Sequence, residues 1–416
     1  MNSITKIFKN FFTLFVSEIL CKSIGVFSTA YLARTILPDG YGVIGFAIAL
    51  IYYFSNIIIF GGDTIATRDV SLNRNKFSLY FINIISFRIV VTILLVIILF
   101  PLISFISKDI RSEYVIKIIL LSLFLNTFST NFLYQAIERM EIIAISNLLR
   151  SLLLLSGYLL FVNNSDDVYA AAWVFTISSV SVSLAMFLFT HFTISKFRYK
   201  IKFSLIRYLL KESYPLFISS IAIAVYYNLD IIMLSYLKTD FDVGIYNAAY
   251  RIFLVGVLPI NFILQSFFPQ LSRIYNLDDR GFWFIMNKYA FSQIFLGVSA
   301  SIIIYGLSGV GINLIFGHEY ISASIALKIL ALNISVVSVN VLFGNPLTAW
   351  GKQKQYSFVI VAGALANVFL NFILIPKYSI NGAALATLLS EFIVFVGVLI
   401  LFNTTLKSRR NHIYEI

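Results

Sequence analysis

Nine ionisable residues lie inside long apolar stretches of this 416-residue chain. A charged side chain at the centre of a bilayer costs at least ~2.5–3.5 kcal/mol on insertion scales, so such residues usually face a cavity or a partner. Six of the nine are cationic and three are anionic, which suggests an interior suited to an anionic cargo. The nine are Glu18, Lys22, Arg88, Lys117, Arg150, Asp230, Arg251, Lys328 and Glu391.

The elements that must position these residues are predicted to be membrane-spanning helices. Hydrophobic residues make up 59% of the chain and charged residues only 12%, whereas charged residues approach a quarter of an ordinary soluble protein. A helix needs ~20 apolar residues to cross a membrane, and the long runs exclude the short alternating strands of a membrane barrel. The sequence therefore predicts an all-α polytopic membrane protein with twelve transmembrane helices. The predicted spans are 11–33, 41–60, 80–100, 114–135, 142–162, 169–193, 213–237, 244–268, 286–308, 323–346, 357–375 and 381–402.

The distribution of basic residues predicts the orientation of the spans. Of the 31 Lys and Arg residues, 20 fall in alternate segments that begin with the N-terminal one, five fall in the opposite loops, and six lie within spans, when Lys288 at the start of the ninth span is counted with the loop before it. Because cytoplasmic segments carry the excess of Lys and Arg, both termini are predicted to be cytoplasmic. The net charge of +12 is explained in the same way, so no nucleic-acid partner is expected.

The most basic of these segments divides the chain into two six-helix lobes. We predict an N-terminal lobe at 1–195, a basic cytoplasmic linker at 196–212 that also contacts anionic lipids, and a C-terminal lobe at 213–416. Similarity between Ile116–Ile119 and Leu327–Leu330 supports a duplication. Parallel repeats of this kind rock around a central site, which gives alternating access.

The intramembrane cations are candidates for binding a phosphate-bearing substrate. Arg251 has the planar guanidinium that suits bidentate phosphate contact. Arg88 and Arg150 lie about eight residues from the cytoplasmic ends of their helices, where they either snorkel to the interface or form an inner landing site. Lys117 and Lys328 lie near outer ends, where snorkelling is the simpler explanation. The substrate-binding candidates are Lys22, Arg88, Arg150, Arg251 and Lys328.

The three intramembrane acids, Glu18, Asp230 and Glu391, are candidates for coupling to a proton or sodium ion. Glu18 and Lys22 share a helix face, either as a pair that neutralises itself or as a pair that an anionic headgroup opens. Asp230 and Arg251 could meet across the short 238–243 loop in a structural salt bridge. Glu391 is either protonated when buried or faces water.

Polar amides recur within the spans, and interhelical hydrogen bonding is their simplest role, although lining a hydrophilic lumen is the alternative. They are Asn56, Asn126, Asn131, Asn228, Asn261, Asn333, Asn340, Asn367 and Asn371.

Signals of enzyme chemistry are absent from the sequence. The single cysteine and three scattered histidines offer no metal-ligand spacing. The glycines of Gly306–Gly311 follow no strand, so they do not indicate a nucleotide-binding loop. We therefore expect no catalytic residue, no metal and no cofactor.

Two stretches resemble polysaccharide flippases of the O-antigen type, in the multidrug/oligosaccharidyl-lipid/polysaccharide exporter superfamily. The first is Leu32-Ala-Arg-Thr-Ile-Leu-Pro-Asp-Gly-Tyr-Gly42, which has Leu37 where the family often has glycine before the proline. The second is Phe60-Gly61-Gly62 followed by Arg68, in which the second glycine replaces a usual leucine.

The resemblance implies a two-lobed bundle in a bacterial inner membrane. It implies translocation of undecaprenyl-pyrophosphate-linked oligosaccharide units from the cytoplasmic to the periplasmic leaflet, in a pathway that also contains polymerase and chain-length proteins. Related lipid flippases line their cavity mainly with helices one, two, seven and eight, which here carry Lys22, Asp230 and Arg251. A drug/cation antiporter of the same superfamily is one alternative, although it would want an anionic cavity. A membrane polysaccharide polymerase is another, although the outer loops here are short.

Overall fold

A computed structural model describes residues 3–195, 201–275 and 279–414. Throughout these residues the regular elements are helices, with no strand among them. The helices of the first half are α1 (Ser3–Ile59), α2 (Gly62–Leu72), α3 (Phe77–Ile106), α4 (Ile110–Leu120), α5 (Leu123–Phe128), α6 (Asn131–Ala136), α7 (Met140–Phe161) and α8 (Val168–Thr190). Those of the second half are α9 (Phe203–Leu237), α10 (Asp240–Ile274), α11 (Asp279–Phe316), α12 (Ala323–Ala349) and α13 (Gln353–Tyr414).

The chain folds as two compact units, Met1–Ala224 and Val225–Ile416, and the boundary between them lies within α9. Part of the predicted linker at 196–212 is helical, because α9 begins at Phe203. Its residues 196–200 lie outside the described part of the chain.

Many of the helices are long and apolar enough to cross a membrane. In the described ranges nine helical segments meet this condition, and ten do so if the two parts of α9, Phe203–Val225 and Tyr227–Leu237, form one span. The molecule is therefore a multi-pass, all-helical membrane protein.

Two of the longest helices, α1 and α13, are interrupted by a residue with non-helical dihedral angles. Leu37, just before Pro38, has φ 61° and ψ 172°. Ser379, three residues after Pro376, has φ 48° and ψ −127°. Proline lacks the N–H that would continue the helix and disfavours helical angles in the residue before it, which accounts for the position of the first break.

The break in α13 is stabilised by the N-terminal end of α10. Thr239 and Asp242 form a capping box at the start of α10. The Ser379 hydroxyl donates to Asp242 Oδ1 at 2.7 Å, and Lys238 Nζ donates to the Pro376 carbonyl at 3.0 Å. The polar groups at the break are thus partly satisfied by a neighbouring helix end.

Asp109, just before the candidate span Ile110–Ala136, forms a second capping box at the start of α4. The Ser112 backbone N–H donates to Asp109 Oδ1 at 2.6 Å, and the Ser112 hydroxyl lies 3.3 Å from the Asp109 backbone N–H. The backbone hydrogen bond stabilises the carboxylate and lowers the pKa of Asp109 below its ordinary value.

In the first unit, a core cluster joins α2, α3, α6 and the start of α9. It includes Val70, Phe81, Leu133 and Leu209, all of them buried. Gly61, between α1 and α2, has φ +69°, and a Cβ there would lie 2.8 Å from Leu216 Cβ of α9. Glycine at this position therefore permits both a left-handed turn and a close approach of α9.

In the second unit, a core cluster joins α10, α11, α12 and α13. It is built around Trp350, which packs against Tyr275, Phe282 and Phe402. The indole N–H of Trp350 donates to the Leu271 carbonyl at 2.8 Å, so its polar group is satisfied within the core.

Candidate functional site

Arg88 of α3 is buried, with a side chain only 1% exposed, and it forms an ion pair with Asp63 of α2. Its Nη1 donates to the carbonyls of Asn126 and Ser129 at 3.2 Å each. These carbonyls lie at the end of α5, and α6 begins at Asn131, so the guanidinium satisfies backbone groups that a helix break leaves open. Arg88 also lies 5.4 Å from the ring centroid of Phe132.

A small cavity lies beside Arg88 and is lined in part by Asn83, Gly62 and Ser213. The Arg88 Nε and the Ser213 hydroxyl are buried and have no hydrogen-bond partner among the described atoms. The cavity offers about 20 Å³ for the centre of a water molecule, which is room for one water. In this structure Arg88 is thus a buried cation held by Asp63 and by two backbone carbonyls.

Asp230 of α9 is the centre of a buried polar network in the second unit. The Tyr246 hydroxyl of α10 donates to it at 2.8 Å. The Thr387 hydroxyl donates at 2.7 Å and the Asn371 amide donates to the other carboxylate oxygen. Asn371 and Thr387 lie on opposite sides of the break in α13, so one carboxylate binds both parts of that helix. The predicted salt bridge with Arg251 is not formed: the donors on Asp230 are neutral, and Arg251 is exposed.

The network extends from Asn371 to further amide and hydroxyl groups. Asn371 donates to Asn367 Oδ1 at 3.0 Å, and Asn367 donates to the Ser390 hydroxyl at 3.4 Å. The Asn371 Oδ1 is buried and has no partner among the described atoms. Neutral donors stabilise a buried carboxylate without cancelling its charge, so the site is suited to gain a proton or a small cation.

Glu391 of α13 is also buried, at 8% exposure, and receives a hydrogen bond from the Asn340 amide of α12. The same amide donates to the Glu391 carbonyl at 3.0 Å. The predicted role of the span asparagines in interhelical hydrogen bonding is therefore realised at Asn340 and Asn371.

Lys22 and Glu18 form an ion pair of 2.8 Å on one face of α1, with side chains 41% and 47% exposed. The pair is therefore accessible from one side of α1.

The remaining predicted cations differ in their surroundings. Arg150 is half-buried in α7, near Cys21 of α1. Lys117 pairs with Glu113 one turn earlier in α4 and also donates to the Ser104 hydroxyl at 2.9 Å. Lys328 is exposed and lies 5.7 Å from the Tyr305 ring centroid. These three residues lie on three different helices, α7, α4 and α12.

Several partners in these sites were not identified from the sequence. The sequence gives a weak indication for Asp63, which follows Phe60-Gly61-Gly62 at the start of a helix. It gives none for Tyr246 and Thr387, because a hydroxyl in an apolar helix is common. In the part of the chain that the structure describes, no group of three or more His, Cys, Asp or Glu could hold a metal ion.

Known proteins resemble this chain both in sequence and in fold. The sequence profile of the family described as "Polysaccharide biosynthesis protein" matches residues 7–275. A protein of Escherichia coli (strain K12) named as an O-antigen transporter is 25% identical over 88% of this chain and 89% of its own. The capsular polysaccharide biosynthesis protein CapF of Staphylococcus aureus is 25% identical over 94% of this chain and 97% of its own.

Among solved structures, the lipid II flippase MurJ in an inward closed conformation superposes with a TM-score of 0.76 at 16% identity. That superposition covers 93% of this chain and 86% of MurJ. An inward-facing multidrug resistance MATE family transporter gives a TM-score of 0.72 at 13% identity, covering 92% of this chain and 95% of the transporter. At these identities the comparison establishes the fold that the chain shares with both.

Proposed function

We propose, since this chain belongs to the polysaccharide biosynthesis protein family, that it is a flippase for undecaprenyl-pyrophosphate-linked oligosaccharide units. It would move them from the cytoplasmic to the periplasmic leaflet of a bacterial inner membrane by alternating access. The observation that carries the proposal is alignment, over most of their length, with relatives named for O-antigen transport and capsular polysaccharide biosynthesis. The fold shared with a lipid II flippase supports it.

The physical difficulty in this transport is the charged, hydrophilic headgroup. The polyprenyl tail can stay in lipid, whereas the pyrophosphate and sugars need a polar path with compensating cations. Accessible Lys22 and Arg251 are the residues we propose for contact with pyrophosphate, with Arg150 and Lys328 as further cations. Arg88 is better explained by its structural ion pair with Asp63.

The membrane potential assists the outward step. It favours outward movement of an anion by ~2.3 kcal/mol per charge per 100 mV, so return of the unloaded carrier is the harder half of the cycle. We propose that proton or sodium binding at Asp230 contributes to this return, with Glu18 and Glu391 as the other candidates. Asp230 is the first candidate because its hydrogen-bond donors are neutral and leave its charge uncompensated.

The test of the function is deletion of the gene in its host, with lipid-linked oligosaccharide and surface polysaccharide measured together. We expect loss of surface glycan and accumulation of complete repeat units on the inner leaflet. Unpolymerised units on the periplasmic face would indicate a polymerase, and unchanged pools with altered drug tolerance would indicate an antiporter.

We further propose twelve spans with both termini cytoplasmic. If the breaks at Leu37 and Ser379 divide α1 and α13 into two spans each, ten spans become twelve. The excess of Lys and Arg in alternate segments supports the orientation.

Cysteine labelling tests this topology, because Cys21→Ser removes the single cysteine of the chain. In that background, Lys377→Cys should react with an impermeant maleimide from the periplasmic side. Lys354→Cys and Lys407→Cys should react only after the membrane is permeabilised. Equal labelling at all three positions would contradict two spans in α13.

A further inference from the structure

An apolar groove on the first unit adjoins the small cavity beside Arg88, with which it shares Phe60, Phe87 and Leu210. We call it the α3–α9 groove. Its apolar walls are formed by Ile57 and Phe60 of α1 and by Phe87 and Val91 of α3. The groove has a volume of about 650 Å³, which falls within the ~300–1,000 Å³ common for ligand sites.

The apolar surface continues from the groove along α3. Phe87, Val91, Leu94 and Ile98 follow one another at intervals of four, three and four residues, so they lie on one face of the helix. Leu94 and Ile98 are 53% and 58% exposed. At 1.5 Å per residue the stripe from Phe87 to Ile98 is ~16 Å long, close to half of the ~30 Å hydrocarbon layer. The same face continues through Leu102 and Phe105, which are 43% and 87% exposed, so the apolar surface extends along most of α3, and the stripe is the part of it nearest the groove.

The remaining wall of the groove, from α9, is basic. Arg207, Lys211 and Tyr214 lie on one face of this helix and line the groove beside Leu210. All three are exposed, and the charged residues among those lining the groove are both cationic. Long basic side chains of this kind bring their heads to the interface while their stems cover apolar surface.

The α1–α9 side of the groove is held by aromatic packing. The Phe60 ring stacks on Phe217 of α9, with centroids 4.3 Å apart and planes 17° apart. Phe60 has a positive φ of 48°, and the lack of a side chain at Gly61 lets the turn after α1 approach α9 closely. This side of the groove is therefore closed by contacts between the end of α1 and α9.

We propose that the α3–α9 groove binds an anionic phospholipid of the cytoplasmic leaflet. An acyl chain lies along the stripe from Phe87 to Ile98, and the headgroup phosphate contacts Arg207 and Lys211. Charge complementarity selects an anionic headgroup, since Arg and Lys near a membrane surface attract anionic lipids. The proposal does not depend on the transport function.

Lipid binding by the purified full chain tests the proposal. The protein is delipidated in detergent and titrated with equal amounts of phosphatidylglycerol and phosphatidylcholine, and bound lipid is measured by native mass spectrometry. The variant Arg207→Gln/Lys211→Gln removes the proposed phosphate contacts. The matched control is Lys352→Gln/Lys354→Gln, which removes two basic residues from another predicted cytoplasmic segment. Val91→Trp fills the groove without changing its charge.

We expect the wild type and the control to prefer phosphatidylglycerol, and the α9 double variant to lose roughly tenfold in affinity for it. Val91→Trp should weaken binding of this lipid while the variant elutes as a folded monodisperse species. The proposal is wrong if the wild type shows no preference, or if both double variants lose it equally. It is also wrong if undecaprenyl phosphate displaces phosphatidylglycerol at equal concentration, since the groove would then hold the transported class of lipid.

Discussion

At the scale of single residues, two buried charges in this protein are stabilised in different ways. Arg88 has a carboxylate partner, Asp63, and two backbone carbonyls. Asp230 accepts hydrogen bonds from neutral groups. A paired charge is compensated and fixed, whereas a carboxylate held by neutral donors retains its attraction for a cation. Arg88 is therefore suited to a structural role, and Asp230 is suited to binding and releasing a proton or a cation.

Arg88→Met should destabilise the protein by ~1–3 kcal/mol, because it leaves the carbonyls of Asn126 and Ser129 without their donor and the partly exposed Asp63 without its partner. The measurement is the thermal unfolding midpoint of the purified protein in detergent. Lys117→Met is the matched control, since it also removes a cation paired within a membrane helix, but one that contacts the side chains of Glu113 and Ser104, so its loss should cost only ~0–1 kcal/mol. Equal midpoints for the two variants would show that Arg88 is not structural.

Asp230→Asn should remove the response of the protein to ions while the variant still folds, because asparagine keeps the size and one acceptor oxygen. A ligand that binds only the folded state raises its stability with concentration. We expect the unfolding midpoint of the wild type to change with sodium concentration or pH, and that of the variant to change much less. Thr387→Ser, which retains the hydroxyl, serves as the control. An unaltered response in Asp230→Asn would place the ion elsewhere.

At the scale of elements, the break in α1 coincides with a departure from the family signature. Leu37 replaces the glycine common before Pro38, yet it has φ 61° and ψ 172°, a region that is essentially restricted to glycine and costs ~1–3 kcal/mol for other residues.

Leu37→Gly should therefore raise the unfolding midpoint, by the equivalent of ~1 kcal/mol after the greater entropy of glycine in the unfolded state is deducted. Because Leu37 is 41% exposed, little packing is lost. Leu20→Gly, a similarly exposed leucine within a helical part of α1, should destabilise instead. Destabilisation by both changes would contradict strain at Leu37.

The turn between α1 and α2 distinguishes two adjacent glycines. Gly61 has φ +69° and a Cβ there would clash with α9, whereas a Cβ at Gly62 meets nothing within 4 Å. Gly61→Ala should lower the unfolding midpoint, since the left-handed conformation alone costs ~1–2 kcal/mol. Gly62→Ala should leave it nearly unchanged. Similar effects at both positions would mean that α9 yields to the added methyl group.

At the scale of the whole molecule, transport is expected to depend on accessible cations. Lys22→Ala and Arg251→Ala should each abolish surface polysaccharide while the protein level is retained, because pyrophosphate loses a compensating charge. Arg251→Lys should retain more function than Arg251→Ala if charge matters more than the guanidinium geometry. The measurement is surface glycan per unit of membrane protein, with Lys354→Ala as the control. Wild-type polymer from both alanine variants would refute the cationic site.

The sequence by itself determined the properties that depend on local composition. Apolar runs identify membrane helices because each span must satisfy its own backbone in lipid. The loop signature and Phe60-Gly61-Gly62 indicated the family, which the match over residues 7–275 confirms. The four-residue spacing of Glu18 and Lys22 was enough to predict that they share a helix face, where the structure places an ion pair.

Only the tertiary structure decided which polar residues meet. Arg88 pairs with a carboxylate 25 residues away, and Asp230 takes donors 16, 141 and 157 residues away instead of the nearby Arg251. The hydropathy of an apolar helix is the same whichever way its one charged side chain points. Its partner is therefore set by how helices distant in sequence pack together, which local composition does not encode.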